Sequence, residues 1–334
     1  MALNPWRMLL LFLVSGYAAR GLLSRAAGPR DFAWRRSVRL LPPLLFGVAV
    51  IVTPQPWIEV QRKLGYAHGF GYFLLHDYFD FDDSDQIITP ALFHLWFVAY
   101  IWAYSLLVAV GAALLPERAG AALQAGFARV FAGWRMVVLP LAWLLLVREA
   151  ILPGAMPTNR LVDDLPGHLI YLPAFLFGFG LARAQGLWSA ILRAWPAALL
   201  LAVLGYAGIV WELSGYPGAP GLVDSHAAEL GWASLMAWGM ILLLLAAAER
   251  WLDRDSRWRA TLTEAVFPIY LVHQTLIVLL GWWIAPWRLG AAVEAAILFP
   301  ATLAGCWTFY LIGRRIAWLR PLIGLPFARR RPVG

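Results

Sequence analysis

Apolar residues along this chain gather in long blocks rather than in alternating or narrow helical stripes. Runs dominated by Leu, Val, Ala, Phe and Trp fall near 8–26, 38–53, 91–115, 134–152, 166–184, 189–211, 231–251, 265–285 and 291–313. At 1.5 Å per residue most of these runs reach across the roughly 30 Å hydrocarbon layer of a bilayer. The pattern predicts an all-α fold, a polytopic membrane helix bundle of about nine transmembrane helices. The second run is short and carries Pro42 and Pro43, so its span is expected to tilt, kink or extend into the Arg-rich turn before it. No cytoplasmic stretch is long enough for a soluble domain and no internal repeat is visible, so 1–334 reads as a single integral-membrane domain. Its largest external loop is placed at 54–90 and a basic cytoplasmic tail at 314–334.

Composition sharpens this picture. With 61% hydrophobic and 14% charged residues, the chain has too little polar surface to coat a soluble globule of 334 residues. A net charge of +8 suggests a nucleic-acid partner until the basic residues are placed. Of the 27 Lys and Arg residues, all but Arg7, Arg62, Lys63, Arg148, Arg160 and Arg288 fall on one side of the alternating spans. The charge is therefore a topology signal and no nucleic-acid partner is expected; the N-terminus is placed outside and the C-terminus in the cytoplasm. A cleaved signal peptide at 1–23 would put the arginine-rich 20–39 segment outside, which argues against it. The RRRPVG end reads as an electrostatic anchor on the inner leaflet of the lipid bilayer. A single cysteine, Cys306, excludes an intrachain disulfide, and the 19 tryptophans suggest interface anchoring first and substrate stacking second.

Candidate chemistry is sparse. In TPALFHLWFVAYIWAY, Thr89 to Tyr104, Thr89 is positioned to cap a helix and Pro90 to occupy its first position, which sets His94 about one turn inside. His94, with Trp96 and Trp102 nearby, is either part of an aromatic belt or a site residue on the extracytoplasmic side. His273, in FPIYLVHQTL, lies near the middle of its span with Gln274 beside it, while Pro268 frees the carbonyl of Glu264. An intramembrane imidazole is a functional candidate or a hydrogen-bonded structural tie between helices. Arg36 and Arg39, three residues apart on one helix face with Arg35 alongside, suit the phosphates of an acyl-CoA, though membrane anchoring explains the same charge. Arg148, Glu149 and Glu212 are placed to contact a polar acceptor or to pair and snorkel. Asp77, Asp80, Asp82, Asp83 and Asp85 cluster in the external loop, but their spacing does not fit a Ca²⁺ loop. Without a glycine-rich phosphate loop, a metal-ligand cluster or a Gly-x-Ser-x-Gly elbow, no bound metal or resident cofactor is expected.

Taken together, PWRMLLLFLVSGYAAR, WRRSVRLLPPLLFG, FHLWFVAYIWAY, LPAFLFGFGLA and FPIYLVHQTLIV resemble, in order, blocks of the membrane acyltransferase 3 family, most closely its branch related to the glucans biosynthesis protein C. The resemblance covers nearly the whole chain, and WRRSVRLLPP and IYLVHQ are its more distinctive blocks. It implies about ten helices, an acyl-CoA co-substrate at the cytoplasmic face, and O-acylation of a carbohydrate across a bacterial inner membrane. Members of the family carry, in a first helix, an arginine and a histidine base about eleven residues on, roughly three turns. No residue here matches that histidine, and the likeness starts at the family's second helix, so the reading frame is expected to extend upstream of Met1.

The function expected is therefore membrane O-acyltransfer, with succinyl one candidate group, from acyl-CoA to a carbohydrate or glucan hydroxyl. Arg35, Arg36 and Arg39 would bind acyl-CoA. His94 and His273 are the catalytic candidates, and Trp96, Arg148, Glu149 and Glu212 the acceptor-site candidates. The rival readings are a transporter or flippase of a polar or lipid-linked solute, built on His273 and the proline-broken second helix, and an inactive truncated relative.

Overall fold

The computed structural model describes residues 4–79, 89–213, 225–252 and 255–327. Helices are the regular secondary structure of these residues, with no strand among them. In chain order the helices are α1 (Asn4–Leu23), α2 (Pro29–Phe46), α3 (Pro54–Leu64), α4 (Phe70–Tyr72), α5 (Trp96–Leu114), α6 (Glu117–Val130) and α7 (Arg135–Leu145). They continue as α8 (Leu165–Leu181), α9 (Gln185–Arg193), α10 (Trp195–Leu213), α11 (Ser225–Ala247), α12 (Arg259–Ile284), α13 (Ala291–Gly313) and α14 (Leu319–Leu322). Wider π turns follow α2 at Gly47–Ile51, α4 at Phe73–Asp77, α7 at Leu146–Ile151 and α11 at Ala248–Leu252.

Among the described residues, seven helices are long and apolar enough to cross a membrane, and nine if each of two bent pairs counts as one span. The chain is thus a multi-pass helical membrane protein. Two boundaries differ from the sequence reading. The short second span runs on through its prolines from Pro29 to Leu64. Pro42 and Pro43 remove two amide donors, but the following π turn carries the chain into α3, so 54–64 is helix where a loop was expected. The second difference concerns the start of α5. Thr89 and Pro90 neither cap nor begin a helix. Phe93 takes a left-handed φ of 43°, which breaks any helical path from Pro90, and a 3₁₀ turn over Phe93–Leu95 leads into α5. Asp80, Asp82, Asp83, Asp85 and the RRRPVG tail lie outside the described residues.

The chain divides into two compact units, Met1–Trp34 with Ala103–Arg254, and Arg35–Trp102 with Asp255–Gly334. In the first, α1 lies against α8 and α10 against α11. The α1–α8 seam buries Phe12, Leu13 and Ala19 from one helix and Ile170, Phe175 and Leu181 from the other. Its backbones approach closely at a reciprocal pair of glycines: a Cβ on Gly16 would stand 1.8 Å from the carbonyl oxygen of Phe175, and one on Gly178 would stand 1.9 Å from that of Leu13. Lipid tails are as apolar as leucine, so helix association in a membrane depends on such close packing rather than on expelling water. Asp164 caps α8 from a fully buried position, accepting hydrogen bonds from the amides of Gly167, Thr158 and Asn159.

In the second unit α12 is the central element, packed on α13, on α3 and on the π turn after α2. Pro268 sits inside it, and Glu264, one turn earlier, faces Arg314 at 3.9 Å and Arg320 at 3.8 Å. Tyr78 is fully buried and donates to the carbonyl of Val48 at 2.6 Å. Burial disfavours its phenolate and pushes the Tyr78 pKa up to about 12.

Candidate active site

The strongest polar constellation lies within the second unit, where the 3₁₀ turn before α5 meets the middle of α12. Leu95 is fully buried, with its methyl groups over Gly47, and this pins the turn that carries His94. His94 Nε2 lies 3.1 Å from the carbonyl oxygen of Leu271. A carbonyl can only accept, so in the neutral ring Nε2 carries the hydrogen and Nδ1 holds the lone pair. That Nδ1 is buried and has no hydrogen-bond partner. The Tyr270 hydroxyl donates to the backbone carbonyl of His94, fixing the turn from the α12 side.

His273 is set by the same logic. Its Nδ1 lies 2.7 Å from the carbonyl of Tyr270, so Nδ1 donates and Nε2 is the basic nitrogen. The two imidazoles are edge to face with centroids 5.1 Å apart, and Tyr270 stands 5.5 Å from His94. Beside them Gln55 donates to Thr275 at 2.8 Å and accepts from Gln274 at 3.3 Å, a hydrogen-bonded pair joining α3 to α12. The arrangement leaves one buried imidazole nitrogen, His94 Nδ1, without a hydrogen-bond partner, in a pair of rings held by backbone carbonyls rather than by carboxylates. It is suited to taking a proton from a hydroxyl.

The other predicted residues fall in different surroundings. Trp96 is buried, edge-on to Tyr100 at 5.1 Å, which makes it a packing residue at the start of α5. Trp102 donates to Ser37 at 2.9 Å and ties α5 to α2. Arg36 and Arg39 do not share an exposure: Arg36 is buried in a stripe with Leu40, while Arg35 and Arg39 are exposed. Four residues, not three, separate the two outward guanidiniums, and i,i+4 neighbours also lie on one helix face.

Arg148, Glu149 and Glu212 belong to the first unit. Arg148 lies in the π turn after α7 and donates to the carbonyl of Leu230 at 3.3 Å and to Ser234 at 3.1 Å rather than pairing with its neighbour. Glu149 Oε1 is buried without a hydrogen-bond partner, against Gly231. Glu212 is half-buried near the end of α10. Asp77, the described member of the acidic cluster, accepts a hydrogen bond from Tyr66. Among the described residues no group of His, Cys, Asp and Glu could hold a metal ion.

Sequence reasoning missed Tyr270, which holds both histidines, and Gln55, which ties α3 to α12 beside them. Tyr270 had a signal in its i,i+3 spacing from His273. Gln55 had none, because it was assigned to a loop. In the first unit it missed His168, whose Nδ1 faces the Tyr104 hydroxyl at 2.9 Å and whose Nε2 donates to the Leu161 carbonyl at 2.8 Å.

A family model described as an acyltransferase domain, Acyl_transf_3, matches residues 1–311. The chain belongs to this acyltransferase 3 family. No curated protein and no solved structure matches it. The fold and the family together define a membrane acyltransferase.

Proposed function

We propose that this membrane acyltransferase moves an acyl group, succinyl being one candidate, from acyl-CoA to a hydroxyl of a carbohydrate or glucan on the extracytoplasmic side of a bacterial inner membrane, with His94 as the base. The observation that carries the reading is the buried, unpartnered Nδ1 of His94, whose lone pair is fixed by the Nε2 hydrogen bond to Leu271. As the acceptor oxygen attacks the thioester carbonyl, its proton passes to His94 Nδ1. The tetrahedral adduct collapses with cleavage of the C–S bond, and the same proton leaves His94 for the departing CoA thiolate. No other redox or metal partner is needed to balance this sequence. A positioned base of this kind contributes on the order of 10²–10⁴ in rate.

His273, edge-on to His94, shapes the acyl pocket in this reading. The exposed Arg35 and Arg39 bind the CoA phosphates, with Arg36 buried behind them. Arg148, Glu149 and Glu212 remain acceptor-contact candidates. Trp96 does not, because its burial leaves almost no ring face for a sugar to stack on.

Radiolabelled succinyl-CoA and acetyl-CoA, supplied to membranes containing the protein and a glucan acceptor, test the reading. Covalent label in the glucan that depends on the protein supports it. Protein-dependent uptake of solute without any covalent product would replace it with transport.

A further inference from the structure

Two helices turn sharply away from the apolar segments beside them. The axis bends by 95° between α6 and α7 and by 112° between α8 and α9. Both turned helices are two-faced. α9 buries Leu187, Ala190 and Ile191 and exposes Gln185, Ser189 and Arg193, while α6 exposes Glu117, Arg118 and Arg129 and turns Gln124, Phe127 and Ala128 inward. Helices of this pattern, set across the direction of a spanning segment, belong in the headgroup layer of a membrane.

Two clefts open on these helices within the first unit. One, of about 650 Å³, is lined by Arg20 at the end of α1, by Arg183, and by Glu117 and Gln124 of α6. The other, of about 290 Å³, is lined by small and apolar residues apart from Arg193, and the two share Ala128. Arg20 is held over the ring of Phe179 at 4.6 Å, and its Nε is buried without a hydrogen-bond partner. Among the described residues neither Arg20 nor Arg183 is ion-paired with Glu117. Two guanidiniums against one carboxylate leave one net positive charge beside a cleft that continues into apolar space.

We propose that this double cleft is a binding site for an anionic phospholipid, with the phosphodiester on Arg20 and Arg183 and the adjoining hydrocarbon passing over Ala128 into the smaller cleft. A buried guanidinium donor without an acceptor calls for one from a ligand, and phosphate oxygens fit its fork. One negative charge matches the one net positive charge. The same phosphate chemistry would be offered by a soluble nucleotide-bearing donor. The apolar continuation and the surface-lying helices favour a lipid.

Native mass spectrometry of the detergent-purified full chain, titrated with phosphatidylglycerol or phosphatidylcholine, tests the site. The wild type should bind one phosphatidylglycerol in preference to phosphatidylcholine. R20Q and R183Q should each weaken it about fivefold, the scale for a basic residue near an anionic headgroup. E117Q should tighten it, a gain that misfolding cannot produce. Equal affinity for the two lipids, or unchanged phosphatidylglycerol binding in both arginine variants, would overturn the proposal. Displacement of the bound phosphatidylglycerol by free CoA would also overturn it, reassigning the site to the soluble donor.

Discussion

The glycine pair between α1 and α8 allows a prediction whose size follows from geometry. In Gly178→Ala the new Cβ would stand 1.9 Å from the Leu13 carbonyl oxygen, where ordinary contact begins near 3.4 Å, so the helices must part by about 1.5 Å. The obstacle is backbone, which cannot swing aside as a flexible side chain would. A gap of that size forfeits more than half of the dispersion energy of each contact it opens, and Phe12, Leu13 and Phe175 lie along the seam. Overpacking of this kind costs about 1–3 kcal/mol, and the rigid obstacle puts Gly178→Ala and Gly16→Ala near the upper end. At roughly 2–4 °C per kcal/mol for a protein of this size, each should lower Tm by about 6–12 °C. The double variant should lose less than the sum, because one displacement relieves both clashes. Gly21→Ala, in the same helix with nothing within 4 Å of its Cβ, is the control and should gain about 0.5–1 kcal/mol from helix propensity. Differential scanning fluorimetry in detergent reads all four proteins. If Gly16→Ala and Gly178→Ala melted like Gly21→Ala, the close-approach account of this seam would be wrong.

Asp164→Ala removes the acceptor for three backbone amides and should destabilise the first unit by about 3–5 kcal/mol, with Asp164→Asn losing less, as read by chemical unfolding in mixed micelles. Tyr78 has a folded pKa raised from 10.0 to about 12, so its neutral form is favoured in the fold; its contribution is complete below about pH 10 and is lost as pH rises towards 12. Tyr78→Phe should therefore be less stable than wild type at pH 8, with a difference that shrinks at pH 11.5; an unchanged gap would contradict the burial argument. Arg35→Lys with Arg39→Lys should raise the KM for acyl-CoA and leave kcat unaltered, because lysine keeps the charge but not the paired geometry. Equal KM values would remove the phosphate role.

The helical class and the spans were legible because block hydrophobicity is a strong signal over 20 residues or more. His94 and His273 were legible as candidates for a related reason: polar side chains within such blocks are few. Their pairing was not, since 179 residues separate them and nothing local encodes which face of α12 meets the turn before α5. The start of α5 was misplaced because Thr-Pro is a valid helix opening by propensity, and no local sequence signal announces the left-handed Phe93 that prevents it. Arg36 and Arg39 were read as equivalent from spacing alone, whereas the 60° between them on the helix is enough to bury one and expose the other. Gln55 was lost with the loop assignment of 54–64, which short apolar content at a proline-rich boundary invites.

The central claim is that His94 Nδ1 takes the acceptor proton, and His94→Gln tests it most directly. The glutamine amide can still donate to the Leu271 carbonyl and preserve the turn, but it offers no basic nitrogen. Single-turnover transfer of label from the acyl-CoA used by the wild type should fall by about 10²–10⁴, with acyl-CoA binding retained. Transfer by His94→Gln at the wild-type rate would show that His94 serves only to hold α5 to α12 and that the base lies elsewhere.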